Sequence, residues 1–469
     1  MNRTTLLLPF ALVCSQLFAQ GDPGTLDRII EQGKHHNQVM PRLHELCFDI
    51  GPRVTGSPKL AKAQKWAMGK FKSWGLTNIH LEQWGEVPVG FERGDHQVGR
   101  MVEPYDVPIS FTTMNWMPGT NGLIRANAVM APQTMADFER DKAKSKGAWV
   151  VYYADTGMHG PDKKEPADIK KALDDLGIAG RIYGTKDTRV WSHGSYKGKT
   201  IDKHPTDVQI VVSRPDYDRI VRNIGFGRKT VLEFQAENLW FKGPIPQYNV
   251  VAEIKGTEKP EEVVIVCGHL DSWNSPGSQG ANDNGTGTVT AMEAARILSA
   301  AHAKPKRTIR FILWSGEEQG LLGSTAYVKN HEAEWDKISA VLNDDDGSNY
   351  QSGYWGYAVM KPMLVEAYQP TVKAFPDMPQ HFDVYTDMTN DGGSDQAPFN
   401  YVGIPGLSVR QAGRQDYMHV WHTQFDRYEE AIPEYLVQAS TNHAVVSYNL
   451  ACADTLLPRG PKPKKKDSK

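Results

Sequence analysis

The chain has 469 residues and a formal net charge of −2, with 53 Lys and Arg against 55 Asp and Glu. That balance gives no reason to expect nucleic acid or another polyanion as a partner, and the length suggests two or three domains. Four cysteines, one of them (Cys14) within the first twenty residues, leave an odd number and argue against a disulfide scaffold.

Residues Met1–Gln20 combine an early Arg, an apolar run and a small residue just before Gln20. They read as a secretory signal peptide cut after Ala19, so the product is expected to be secreted or periplasmic. The run is too short for a membrane span, and no other stretch reads as one. Cys267, inside VVIVCG, reads as a buried thiol, and nothing supports a Cys47–Cys452 bridge. Thr25–Phe48 has the spacing of one or two amphipathic helices. GPRVTGSP breaks that pattern. Ser57 then reads as an N-cap and Pro58 as the first helical residue, with Leu60, Ala63, Ala67, Phe71 and Trp74 on one face and Gly75 as the stop. Asn78–Pro88 reads as a strand.

From about Ser110 to Leu239 the texture becomes β-rich: GLIRANAVM, KGAWVVYY, DVQIVVS and KTVLEFQAEN, with one helix-like stretch, RPDYDRIVRNI. His159, His193 and His204 have no ligand-like spacing there and read as surface residues. Gln247–Ala252 then reads as an edge strand of a further sheet.

The densest chemistry lies in Val263–Glu318. Two apolar β-rich runs flank one helical run, with polar clusters at the joints. His269 and Asp271 follow the first strand, Asp283 sits in the Gly-rich loop before the helix, and Glu317 and Glu318 follow the second strand. Sites in open α/β sheets form at the carboxyl ends of strands, so these residues are expected on one sheet edge. His, Asp and Glu without thiolates suit a borderline or hard metal, most often zinc. Alternation along an extended chain sends His269 and Asp271 to the same side, and an imidazole ligand needs such a carboxylate partner. Adjacent carboxylates on a turn diverge, so one can bind a metal while the other faces substrate. KISAVLN is a further strand, ending in Asp344-Asp345-Asp346, and HVWHTQFD offers His419 and His422. Spacing alone leaves both choices open.

GHLDSW, GANDNGTG, SGEEQGLLGS, LNDDDG, GGSDQAPF and HTQFD, in this order, resemble the M28 family of dinuclear zinc exopeptidases. The resemblance implies an α/β fold, a mixed central sheet with helices on both faces. It implies two Zn2+ ions, with Co2+ or Mn2+ as substitutes. His269, Asp283 and Asp345 would hold one ion. Glu318, His422 and the shared Asp283 would hold the other. Glu317 would be the general base acting on a metal-bridged water, and Asp271 the carboxylate behind His269. Tyr417, five residues before His422, reads either as a donor to a tetrahedral oxyanion or as a packed or surface loop residue. Asp395 reads either as support for a ligand or as a turn residue. Arg427 and Gln396 depart from the family's usual Thr and His.

GPRVTGSP also resembles the start of the family's catalytic domain. KGAWVVYY and PTDVQIVVSRPDYDRIV are similar to the protease-associated (PA) domain that many members carry as a β-rich insert. The expected organisation is a signal peptide over 1–19, an N-terminal catalytic part over 20–112 and a PA-like insert over 113–240. The main catalytic part follows over 241–456, closed by a helix over Glu434–Asp454, and then a disordered basic tail over 457–469. The expected substrate is a peptide. Aminopeptidase is the first reading and carboxypeptidase or dipeptidase the second: Asp391 would suit a free amine, Arg410 or Arg414 a carboxylate. A non-catalytic receptor-like binding protein is the alternative from another class, and glutaminyl-cyclase-like activity a third reading. The sequence leaves the oligomeric state open, a homodimer included.

Overall fold

Alternate side chains of the strand Lys259–His269 enter two different cores. Val264 and Val266 pack among the helices of the larger core, whereas Val263, Ile265 and Cys267 pack with Trp314, Tyr327 and Phe399 on the other face. A strand buried on both faces needs a continuous apolar run, which VVIVCG supplies. Each of these fully buried aliphatic side chains contributes roughly 1.5–3 kcal/mol.

This computed structural model describes residues 21–157, 160–161, 165–388 and 393–461. The expected signal peptide, His159, Asp391 and residues 462–469 of the basic tail lie outside the described residues.

The central sheet has Lys259–His269 between two parallel neighbours, Arg307–Trp314 and Ile338–Asn343. Gly406–Ala412 adds a further parallel strand beside Ile338–Asn343, and Tyr350–Tyr357 pairs antiparallel beyond it. On the other side Val231–Ile254 pairs antiparallel with Arg307–Trp314. The sheet is therefore mixed, and helices cover both faces. The helices Thr286–Ala300 and Pro433–Cys452 pack on one face with the N-terminal helices Pro23–His35 and Pro58–Ser73. Ser57 caps the last of these, accepting from the Leu60 amide at 3.0 Å. All three described cysteines are free and buried.

Two sequence expectations need correction. Gln247–Ala252 is no edge: it belongs to the 24-residue strand Val231–Ile254, which pairs with Arg307–Trp314 and with Thr77–Glu103. The 113–240 segment also holds three helices, Met135–Ser145, Ala167–Leu176 and Arg214–Gly225, rather than one. The first two are short and bury only Phe138 and Ser145, and Ile169 and Leu173, respectively. This segment builds a second core around Trp149, Ile182, Ile210, Leu232 and Phe234. The antiparallel ribbon of Thr77–Glu103 and Val231–Ile254 runs from that core into the central sheet.

His331 ties the ribbon to the rest of the sheet. Its Nε2 lies 3.1 Å from Glu82 and its Nδ1 3.1 Å from Glu334, and the ring stacks on Tyr327. The hydrogen bonds to Glu334 and Glu82 outweigh partial burial and raise its pKa to about 9. The folded state therefore holds this proton more tightly than the unfolded chain, whose histidines titrate at about 6.5. The contribution is complete below about pH 6.5 and is lost as pH rises through about 9. For a partly screened pair it amounts to about 1 kcal/mol. Scanning calorimetry of wild type and His331→Gln should show the wild-type advantage shrinking between pH 6.5 and 9.5. Parallel curves across that range would rule the contribution out.

Candidate metal centre

Strand register sets the site. His269 is level with Trp314 across one parallel pair, and Cys267 is level with Asn343 across the other. Three strands therefore end together, and the loops leaving them carry His269, Glu317, Glu318 and Asp345 to one point. The helix Thr286–Ala300 starts at the same edge, and the loop 281–285 in front of it delivers Asp283. His422 enters from the turn after the short helix Tyr417–Val420.

The loop around Asp283 is held by its neighbours in sequence. Asn282 donates through its backbone and side-chain nitrogens to Asp426 Oδ1, and its Oδ1 accepts from Gln415 at 2.7 Å. Asn284 Nδ2 donates to the Asp344 carbonyl at 2.8 Å, and its Oδ1 accepts from the Gly287 amide at 2.9 Å. The two asparagines thus use their amides to fix the backbone and leave the aspartate between them to face the cluster. A Cβ at Gly287 would lie 2.0 Å from the Asp344 carbonyl oxygen, so only glycine lets the helix start this close to the sheet.

The side chains form two triads that share Asp283: His269, Asp283 and Asp345 in one, and Asp283, Glu318 and His422 in the other. His269 Nε2 lies 3.1 Å from Asp345 Oδ1 and 3.5 Å from Asp283 Oδ1. His422 Nε2 lies 3.0 Å from Asp283 Oδ2 and 3.2 Å from Glu318 Oε2. His269 Nδ1 lies 2.9 Å from the Asp271 carbonyl oxygen, which can only accept, so Nδ1 carries the proton and Nε2 faces the cluster. The Asp271 carboxylate is farther off, at 3.7 Å. It accepts instead from Thr55 Oγ1 at 2.6 Å and from the Glu317 amide at 3.4 Å. Asp271 thus orients His269 mainly through its backbone.

The choices left open by spacing are resolved in space. Asp344 accepts from Thr290, Gln351 and Gln411 away from the cluster, while Asp345 faces His269. His419 stacks on Phe425 with ring centroids 4.3 Å apart, while His422 faces the cluster. Glu317 Oε2 lies 3.9 Å from His269 Nε2. Tyr417 lines the cavity of about 450 Å³ over the cluster, together with Asp346, Gln396, Ser408 and Trp421. Asp395 is fully buried and accepts from Ser324, without touching either triad.

The protonation of this cluster reflects crowding. Burial, with Asp283 beside it, pushes Glu318 up to about 8 against the opposing pull of His422. Burial also raises Glu317 well above the carboxylate range, aided by Asp345, Glu318 and Asp395 and opposed by His269. His422 rises to about 10, since Glu318 and Asp283 outweigh the burial that disfavours its charge. Asp283 Oδ2 and Glu318 Oε1 are buried without a hydrogen-bond partner among the described residues; His422 is close to both residues but poorly directed. Buried acceptors without donors are costly, and a cation between them removes that cost.

Two contributors escaped the sequence reading. His193 is not a surface residue. It is 9% exposed, and its Nε2 lies 3.2 Å from His422 Nδ1. No spacing links residues so far apart in the chain. Arg53, from GPRVTGSP, is fully buried; its Nε donates to the Leu270 carbonyl, and Asp426, Asp271 and Asp283 lie within its field. A charged residue in an otherwise small and apolar turn was the available signal. His204, by contrast, stacks on Trp240, away from the cluster.

Comparison with known proteins gives the same direction. Residues 249–446 match the model of peptidase family M28. Mouse carboxypeptidase Q is 29% identical over 431 residues, covering 91% of this chain and 88% of the mouse protein. A peptidase M28 precursor from Shewanella amazonensis SB2B superposes with a TM-score of 0.64 at 24% identity, covering 94% of this chain and 99% of that one. A zinc aminopeptidase from Bacillus subtilis gives 0.54 at 21%, covering 89% and 94%. These two structures share the fold. Both triads and Glu317 lie inside the span that matches peptidase family M28.

Proposed function

We propose that this peptidase is a zinc-dependent exopeptidase that acts at free amino termini, with one zinc ion in each triad. The carrying observation is the pair of triads joined at Asp283, with two buried carboxylate oxygens that lack hydrogen-bond partners among the described residues. Imidazole nitrogens and carboxylate oxygens without thiolate suit zinc, and cobalt or manganese as substitutes.

Zinc in such a site supplies Lewis acidity and lowers the pKa of the attacking water. Glu317 takes the proton from that water and delivers it to the leaving amine. Burial, with Asp345, Glu318 and Asp395 nearby, raises its proton affinity above that of an ordinary carboxylate, against the pull of His269. Tyr417 donates its phenol to the oxyanion side of the scissile carbonyl. Asp271 keeps the Nε2 of His269 directed into the cluster through its carbonyl.

The lining of the cavity favours an amine. Asp346 lines it outside both triads, and no Lys or Arg lines it among the described residues. The two arginines suited to a carboxylate are engaged elsewhere: Arg410 pairs with Asp383, and Arg414 with Glu434 at 2.7 Å. A carboxypeptidase or dipeptidase is the second reading, favoured by the likeness to carboxypeptidase Q along 91% of the chain. We read the 113–240 segment as a PA-like insert and Met1–Gln20 as an export signal to the periplasm or beyond. Filled triads and an adjacent base give the receptor-like alternative no support.

Matched peptides blocked at one end or the other test the terminus. Only the N-blocked set should resist hydrolysis. Resistance confined to the C-blocked set would replace this reading by a carboxypeptidase, and resistance of both sets by a dipeptidase. Glu317→Gln should keep its zinc, measured by elemental analysis, while turnover falls by about 10²–10⁴-fold. Wild-type turnover in that variant would remove Glu317 from the mechanism.

A further inference from the structure

The segment 188–194, inside the 113–240 stretch, is bonded along its length to the turn that carries His422. The Ser192 amide donates to the His422 carbonyl at 2.8 Å, and Trp191 forms an antiparallel bridge with Thr423. The Val190 amide donates to Gln424 Oε1 at 2.8 Å, Gln424 Nε2 donates to the Thr188 carbonyl at 3.0 Å, and Arg189 donates to the Met418 carbonyl at 2.8 Å. From the other side, the Asn115 amide donates to the His193 carbonyl at 2.7 Å, and Asn115 Nδ2 to Ser192 Oγ at 3.1 Å.

His422 itself sits at φ +56°. The left-handed region costs a non-glycine residue about 1–2 kcal/mol, so surrounding bonds must hold it there. Its ring lies among aromatic side chains. Trp421 stacks on it at 4.0 Å between centroids, Trp273 lies edge-on at 5.9 Å, and His193 packs at 4.5 Å. Water is thereby kept away from the contact between His193 Nε2 and His422 Nδ1, and a hydrogen bond in such surroundings is strengthened.

We propose that His193 is a positioning residue for the second metal site: its Nε2 accepts the Nδ1 proton of His422, so that His422 Nε2 presents its lone pair to an ion held with Asp283 and Glu318. The inference rests on the metal reading above. An imidazole with both nitrogens free can rotate or place its proton on the wrong nitrogen; an acceptor behind it fixes both. His269 has the Asp271 carbonyl for this purpose, within its own loop. His422 takes its acceptor from a segment more than two hundred residues earlier. The insert therefore completes the metal centre, and displacement of 188–194 would loosen one ion and leave the other.

The experiment compares zinc content and zinc affinity, by chelator competition, in wild type, His193→Phe and His193→Gln. Phe keeps the ring volume and removes the acceptor. Gln restores an acceptor oxygen. Wild type and His193→Gln should retain two ions per chain. His193→Phe should retain one, with affinity for the other about 10–100-fold weaker, while the metal-free melting temperatures stay together. Two ions at wild-type affinity in His193→Phe would overturn the positioning role and leave the metal reading standing. A wild type that holds no zinc would overturn both. If His193→Phe does not fold, nitrogen-15 histidine spectra of zinc-loaded wild type give the answer: protons on Nδ1 of both His193 and His422 support the proposal, and a proton on His193 Nε2 overturns it.

Discussion

Four carboxylates, from Asp283, Glu317, Glu318 and Asp345, converge on one largely buried point opposite two imidazoles. Charges of like sign away from water raise each other's proton affinity, and burial adds to the effect. Burial and Asp283 hold Glu318 near 8, whereas Glu318 and Asp283 outweigh burial and hold His422 near 10, so both keep protons that isolated side chains would release. A cation between the oxygens would let all four carboxylates ionise together. The remainder of the site can be understood as the framework that makes this crowding tolerable.

That framework is largely neutral. Asn282 and Asn284 spend their amides on the backbone around Asp283, so the aspartate is held by its neighbours and not by its own carboxylate. Thr55 and the Glu317 amide take up the Asp271 carboxylate. Asp426 serves the same loop from HTQFD, as an acceptor for Asn282. Arg53 supplies a guanidinium, fully buried near the cluster. Burial lowers its proton affinity while Cys47, Asp426, Asp271 and Asp283 support its charge. A buried cation placed near several carboxylates offsets part of their repulsion.

The ribbon of Thr77–Glu103 and Val231–Ile254 explains how a separate core can reach this centre. The two strands pair along most of their length, with Val231–Phe234 on the side of the second core and Val250–Ile254 in the central sheet. The 188–194 segment, part of the stretch joined to the second core, is held against His422 by its own hydrogen bonds to residues 422–424.

Several central strands, the loop positions of the candidate ligands and the start of the helix after Ser57 were legible in the sequence. VVIVCG and RFILW are apolar on both faces, Ser57 and Pro58 mark a helix start, and the Gly-rich turn precedes Thr286–Ala300. These are local signals, set by alternation, capping and turn chemistry. Spacing left Asp344 and Asp345, and His419 and His422, equivalent, and only the resemblance separated them. In space Asp345 and His422 face the cluster while Asp344 and His419 turn away, because neighbouring residues share local preferences and differ only in what they face. Tertiary structure alone made Val231–Ile254 an interior strand, placed Arg53 near the cluster and brought His193 against His422. Such contacts join elements tens to hundreds of residues apart, and neither periodicity nor spacing along the chain records which faces will meet once the sheet is assembled.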